Sequence, residues 1–385
     1  MVIRASRERD KRFRFGKTAA GADSIYVASQ WQLMWWKFRK HKPAIAGGII
    51  ILFLYGVALF CEVLATHDPT EYNRLYTFAP PQLIRFVDQG RFQLRPFVCG
   101  IVGKRDPETT RMLFTTDPAR KYALRVFVHG YPYKLWGLFP SDIHLLGIEE
   151  GDGKGSLYLL GADRMGRDVY SRLVYGARIS MSIGLMGVVL SFVLGIVIGG
   201  FTGYYGGIAD VIVQRVIEFI RSIPSIPLWM ALSAALPVDW PPVRIYFGIT
   251  IILSLIGWTG LARVVRSQFL ALREEDYVMA ARLAGANEGR IVFRHLVPAF
   301  LSHIIASITL SIPGMILSET SLSYLGLGIR PPAISWGVLL QEAQNLRSIA
   351  TSPWVLSPAV VVVTVVLAFN FLGDGLRDAA DPYSL

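Results

Sequence analysis

The stretch EEDYVMAARLAGANEGRIVFRHLVPAF, Glu274 to Phe300, is polar and lies between two runs apolar enough to sit in a bilayer. It reads as two short helices. Glu274, Glu275 and Asp276 crowd the start of the first, where negative charge suits a helix N-terminus. Gly285 ends it as a left-handed cap, Asn287 caps the second, and Pro298 fits the first turn of the next apolar run. Ala280, Ala281 and Ala284 give the first helix a smooth face beside Gly285, which lets another surface approach the backbone. Arg290, Arg294 and His295 decorate the second helix. A compact knob joined to two spans has the shape of a plug for a groove on a soluble partner.

The surroundings set what the knob belongs to. The chain has 385 residues, 52% hydrophobic and 17% charged, with mean hydropathy +0.42 and net charge +11. Soluble domains carry about 25% charged residues, so this balance suits a polytopic membrane protein. Six runs approach the ~20 residues that a helix needs to cross the hydrocarbon: 43–65, 179–201, 208–237, 245–262, 300–322 and 354–372. The third carries Asp210, Arg215, Glu218 and Arg221 in its first half, and Pro224 and Pro227 should kink it.

Residues 1–42 hold eleven Lys/Arg against three acids, a net +8. A nucleic-acid arm is one reading. A cytoplasmic tail beside the first span is favoured, with no nucleic-acid partner, because the apolar run begins at once. Trp31, Met34, Trp35 and Phe38 recur at helical spacing before that run, which suits a helix lying on membrane lipid; a plain extension of the first span is the alternative. An N-terminus inside places 263–299, with its six arginines, inside as well, and 66–178 outside. The expected parts are a basic tail with an interfacial helix (1–42), a first span (43–65), an extracytoplasmic insert (66–178), a core (179–372) carrying the knob at 274–298, and a cytoplasmic tail (373–385). Both termini fall on the cytoplasmic side. In the insert, KYALRVFVHG and YPYKLWGLF alternate like two strands around Gly130 to Pro132, so it reads as a small β-containing subdomain.

Catalytic signals are weak. Cys61, Cys99 and the six histidines lack metal-ligand spacing, so no metal site is expected. GDGKGS at Gly151–Ser156 is out of register for a phosphate loop. Asp163, Arg167 and Asp168 lack an accompanying nucleophile and read as a structural network before the second span. Gln214, Glu218, Arg221 and Ser225 share helical spacing; pathway lining and an internal Glu218–Arg221 pair are equally open. Glu319 is similarly open as a pathway residue. Gly195, Gly199, Gly200 and Gly203 read as a packing face.

The knob resembles the coupling loop of permease subunits of binding-protein-dependent ABC importers. Met279, Ala280, Ala281, Gly285, His295, Val297 and Pro298 fall on that family's E-A-A…G…I-x-L-P positions, with Met and His replacing Glu and Ile. Three further segments resemble the dipeptide and oligopeptide branch, and its C-type permease in particular: LLGADRMGRDVYSRLVYGARISM (Leu159–Met181), ETSLSYLGLGIRPPAISWGVLLQEA (Glu319–Ala343) and LAFNFLGDGLRDAADP (Leu367–Pro382). The resemblance implies an all-α polytopic fold of the type I ABC importer with six transmembrane helices and the β-containing insert added. It implies no catalytic centre here: ATP and Mg would bind to partner subunits. It implies a heterodimer with a homologous permease, two ATP-binding cassette subunits and an extracytoplasmic solute-binding protein, all in a bacterial inner membrane. Glu275, Ala280, Ala281, Gly285, Arg294, His295 and Pro298 would couple to the ATPases. Gly161, Asp163, Gly166, Arg167 and Asp168 would form an outer gate or docking platform. Peptides are the implied substrate, with glycosides, oligosaccharides or nickel as alternatives within the class. A membrane enzyme or receptor acting through the insert is a remote alternative.

Overall fold

The computed structural model describes residues 30–88, 90–108, 112–148 and 156–380. The expectations for the basic tail before Gln30, for most of GDGKGS and for the last five residues lie outside the described residues.

The chain opens with a short helix, α1 (Gln30–Phe38), and then α2 (Lys42–Leu59), whose first turn is capped by the His41 ring. A turn at Cys61–Leu64 ends the first span. An antiparallel meander comes next: β1 (Arg85–Asp88), β2 (Arg91–Arg105), β3 (Met112–Leu135) and β4 (Phe139–Ile148), in that spatial order. The helical part comprises α3 (Val169–Tyr205), α4 (Gly207–Ser222), α5 (Ser225–Ala234), α6 (Pro242–Leu272), α7 (Asp276–Leu283), α8 (Leu301–Tyr324), α9 (Trp336–Glu342) and α10 (Ser357–Ala380). Five helical segments among the described residues are long and apolar enough to cross a membrane, and α4–α5 makes a sixth if the bent pair is one span.

That third span is broken rather than kinked. The two helices meet at 88°. Pro224 offers no backbone N–H, and Ile223 before it is extended, as the residue preceding a proline prefers. The break separates Ser225 from Gln214, Glu218 and Arg221, so the shared helical face expected for the four does not form.

Helices α3, α6 and α10 outrun their apolar cores, whereas α2 stops at Leu59, short of the expected 65. Helix α3 begins ten residues before Ile179, because Asp168 caps it through the Ser171 N–H (2.8 Å) while its first turns are polar. Those ten residues, expected in the insert, are therefore helical. Helix α10 likewise runs to Ala380, through the first part of the expected tail. Pro298 occupies a separate turn, Val297–Ala299, and α8 starts only after Phe300.

Lipid offers little hydrophobic drive between helices, so close approach must carry the packing. On α3, a Cβ at Gly199 would collide with the Ala262 carbonyl oxygen, and one at Gly203 would lie 2.8 Å from that of Arg266. These glycines bring α3 and α6 backbone to backbone. Trp336, Met181, Ile316, Val365 and Phe369 are among the fully buried residues of the central core.

The sheet corrects one expectation. Gly130–Pro132 is not a hairpin turn but an irregularity inside β3, where the register with β4 shifts between His129 and Tyr133. The turn is Trp136–Gly137–Leu138, with Trp136 at φ +53° and Gly137 at φ +74°. One sheet face buries Val98, Leu124 and Ile148 against Leu157 of the segment that leads from the sheet to α3. The chain enters and leaves this module at adjacent points. Gln82 N–H donates to the Tyr158 carbonyl (2.9 Å), Tyr158 N–H donates to Gln82 Oε1 (2.6 Å), and Gln82 Nε2 donates to the Cys99 carbonyl (3.0 Å).

Candidate functional site

Residues singled out by sequence gather at the two ends of the bundle, and a cavity lies between them.

The knob lies at the end opposite the sheet. Helix α7 begins after Glu275, whose backbone is extended and whose side chain makes no cap bond. It closes in a Schellman motif: Gly285 N–H donates to the Arg282 carbonyl (3.0 Å) and Ala286 N–H to that of Ala281 (3.0 Å), with Gly285 at φ +77°. Asn287 Oδ1 accepts the Arg290 N–H (2.8 Å) and starts the second helix, which runs through a wide turn at Ile291–Leu296. Buried Val278, Ile291, Leu296 and Phe300 pack with Val265, Phe269 and Ile304, fixing the knob to α6 and α8. Arg273 reaches the carbonyls of Gly203 and Tyr204 (3.4 and 3.3 Å), and Tyr205 Oη donates to Glu288 (2.5 Å), fixing it to α3 as well. Outward lie Ala280, Gly285 and the apolar Tyr277, Met279, Leu283 and Phe293, with Leu283 88% exposed, among the charged Glu274, Glu275, Asp276, Arg282, Glu288, Arg290 and Arg294. Ala281 and His295 are half-buried and Pro298 is exposed. An apolar surface held rigidly in this way presents hydrophobic area without the entropy cost of ordering it on binding.

At the sheet end, the residues before α3 form a buried ionic cluster. Arg167 Nε donates to Asp163 (2.7 Å) and its other arm to Glu342 on α9 (2.7 Å); Arg172 donates to Glu342 (2.8 and 3.0 Å) and to Asp163. Gly161 and Gly166 turn the chain here. At Gly166, φ is +76° and any Cβ would collide with the Asn73 carbonyl. Burial works to raise the Glu342 carboxyl, but the hydrogen bond from Arg172 and the charges of Arg172 and Arg167 hold it below its ordinary value. Asp168 stands apart from this cluster. It caps α3, accepts from Thr66 Oγ1 (3.1 Å), and burial pushes its carboxyl up. Arg172 and Glu342 were not singled out by sequence, though both sit inside the quoted motifs. Charges beside apolar runs were the available signal.

Between these ends lies a cavity of about 510 Å³. Ser191, Trp229, Gly257, Ser307, Ser311 and Ser318 line it, contributed by α3, α5, α6 and α8. Ser311 and Ser318 turn their hydroxyls back to the carbonyls of Ser307 and Gly314 (both 2.7 Å), while the buried Trp229 Nε1 has no partner. This lining was also missed; its trace in the sequence is the 4-3-4 spacing of Ser307, Ser311, Gly314 and Ser318. The residues proposed for a pathway lie elsewhere. Glu218 pairs with Arg215 (2.7 Å) on the exposed face of α4, not with Arg221, and Gln214 is on the same helix. Glu319 is fully buried in a hydroxyl cage, accepting from Ser180 (3.2 Å) and Ser323 (2.8 Å). Among the described residues, no three of His, Cys, Asp and Glu are placed to hold a metal.

A multi-span helical bundle with a cavity between its helices and a braced, exposed knob at one end is the build of a membrane permease. Residues 195–383 match the family model described as binding-protein-dependent transport system inner membrane component, and residues 29–81 match the N-terminal TM domain of oligopeptide transport permease C. The oligopeptide transport system permease protein OppC of Bacillus subtilis (strain 168) is 36% identical over 243 residues, covering 63% of this chain and 76% of that one. The dipeptide transport system permease protein DppC of the same organism is 39% identical over 224 residues (58% and 68%), and the glutathione transport system permease protein GsiD of Pectobacterium atrosepticum is 37% identical over 231 residues (60% and 74%). A solved inward-facing MetNI methionine ABC transporter chain aligns at 22% identity and TM-score 0.42, over 54% of this chain and 96% of that one. The chain belongs to the permease family of binding-protein-dependent ABC importers, in its dipeptide and oligopeptide branch. It is a multi-pass transport permease of a family that is not catalytic.

Proposed function

We propose that this chain forms half of the translocation path of an ATP-driven importer of di- and oligopeptides. The observation that carries the reading is the knob: a capped helix pair, braced on three spans, whose outward face sets uncovered apolar side chains and the small Ala280 and Gly285 among charges. Such a face needs a groove on another protein, and an ATPase subunit in the cytoplasm fits that need. ATP and Mg then bind to two such subunits, and this chain has no cofactor of its own. A second, homologous permease completes the path, and the serine-lined cavity supplies this chain's wall of it. The arginine-rich knob end lies in the cytoplasm with both termini. The sheet and the Asp163–Glu342 cluster lie outside, facing a solute-binding protein. The relatives named for oligopeptides, dipeptides and glutathione support a peptide substrate.

The test is reconstitution with the two ATPases, the sister permease and the cognate binding protein. Peptide-stimulated ATP hydrolysis and uptake are expected. If the binding protein instead takes up only a sugar or nickel from a ligand panel, the substrate assignment fails while the importer assignment stands. If the ATPases do not copurify with the chain, the importer assignment itself fails.

A further inference from the structure

The β3–β4 turn ends beside the first span, and its surroundings say at what depth. Trp136 Nε1 donates to the carbonyl of Leu59, the last residue of α2 (2.8 Å), and its ring lies 5.9 Å from that of Phe60. Helix α2 has 18 residues, or about 27 Å at ~1.5 Å per residue, close to the ~30 Å of a hydrocarbon core. A second marker agrees. Arg178, which immediately precedes the apolar run of α3, donates to the Leu59 carbonyl (3.2 Å) and pairs with Glu62 (2.5 Å). Charged groups of two spans thus meet where hydrocarbon gives way to headgroups.

At this level the turn exposes apolar side chains: Leu138 (73%), Phe139 (59%) and Trp136 (45%). They continue the bare apolar face of α2, where Leu52 (74%), Phe53 (68%) and Leu59 (50%) are also uncovered. That face is the membrane-facing surface of a spanning helix, so the turn extends it. Tryptophan with its N–H satisfied and its ring at the boundary is the side chain this depth favours, and the exposed Lys134 beside the turn supplies a cation at phosphate level.

We propose that the turn Leu135–Phe139 is a lipid-binding anchor, inserted in the headgroup boundary of the leaflet beside the end of α2. It moors the sheet to the bilayer as well as to the bundle. The test places a nitroxide label at Leu138→Cys, and separately at Phe139→Cys, in the assembled transporter in nanodiscs of phosphatidylethanolamine and phosphatidylglycerol. Both native cysteines are buried, and the labelled wild-type chain sets the background. Collision with oxygen should exceed collision with a water-soluble nickel chelate at both sites. Leu113→Cys, at the far end of β3, should show the reverse order. Preference for the nickel chelate at both turn sites means that the turn stands in water and overturns the proposal. Shielding from both reagents means that a protein partner covers it, and overturns the proposal equally.

Discussion

At the scale of single residues, Gly285 is the position where shape and function separate most cleanly. Its φ of +77° penalises most side chains by about 1 kcal/mol, yet a Cβ there would meet nothing within 4 Å. Gly285→Asp should therefore fold, insert and pair with a sister permease while losing its ATPases in a pull-down. Gly285→Asn, which tolerates the same backbone region, should keep more of them. Normal copurification and transport by Gly285→Asp would refute the coupling role. Glu342 is a different kind of residue, since its work is stability. Arg172→Met leaves Asp163 and Glu342 sharing Arg167 alone, with one buried negative charge in excess, and should cost about 3–5 kcal/mol in detergent unfolding, and adding Glu342→Leu should recover part of it. Because the folded Glu342 carboxyl sits below its ordinary value of 4.5, its contribution is present above that pH. It fades as pH falls below it. Wild-type stability should decline through that acid range, and Glu342→Gln should decline less steeply.

At the scale of elements, helix contacts differ in how far they can yield. A Cβ at Gly199 meets backbone, the Ala262 carbonyl oxygen, whereas one at Gly200 meets the tip of the Phe269 ring at 3.3 Å. Gly199→Ala should lose about 1–3 kcal/mol by overpacking and Gly200→Ala clearly less, read as melting temperatures of the purified protein. Equal shifts would mean that α3 and α6 adjust as rigid bodies. The existence of the spans was legible because a bilayer demands long apolar runs. Their ends were not, because polar turns such as Val169–Arg178 continue a helix once Asp168 caps it. Gly285 and Asn287 announced the knob, since caps are local chemistry. The hairpin turn was misplaced because Gly130 and Pro132 are common turn residues, while the real turn puts Trp136 in a left-handed conformation that tryptophan seldom takes. The cavity stayed hidden because serines four and seven apart on α8 acquire meaning only beside Trp229 from another helix.

At the scale of the whole molecule, orientation is the prediction that everything else inherits. Arginines gather at the knob end of the bundle, and the basic tail precedes the first span. Cysteine at Arg120 should therefore react with an impermeant maleimide on intact cells, and cysteine at Gly285 only after lysis. The opposite pattern would turn the sheet inward and leave the knob nothing to dock. The sheet itself bears on a broader question, how such a permease acquires a new part. Gln82 and Tyr158, 76 positions apart, bond to each other through backbone and side chain. The family match to the first span stops at residue 81. A segment whose two ends already touch can be lost, gained or exchanged by recombination without moving any helix. The sheet is in that sense a cassette, and a lineage of transporters could vary it while the helices beneath stayed unchanged.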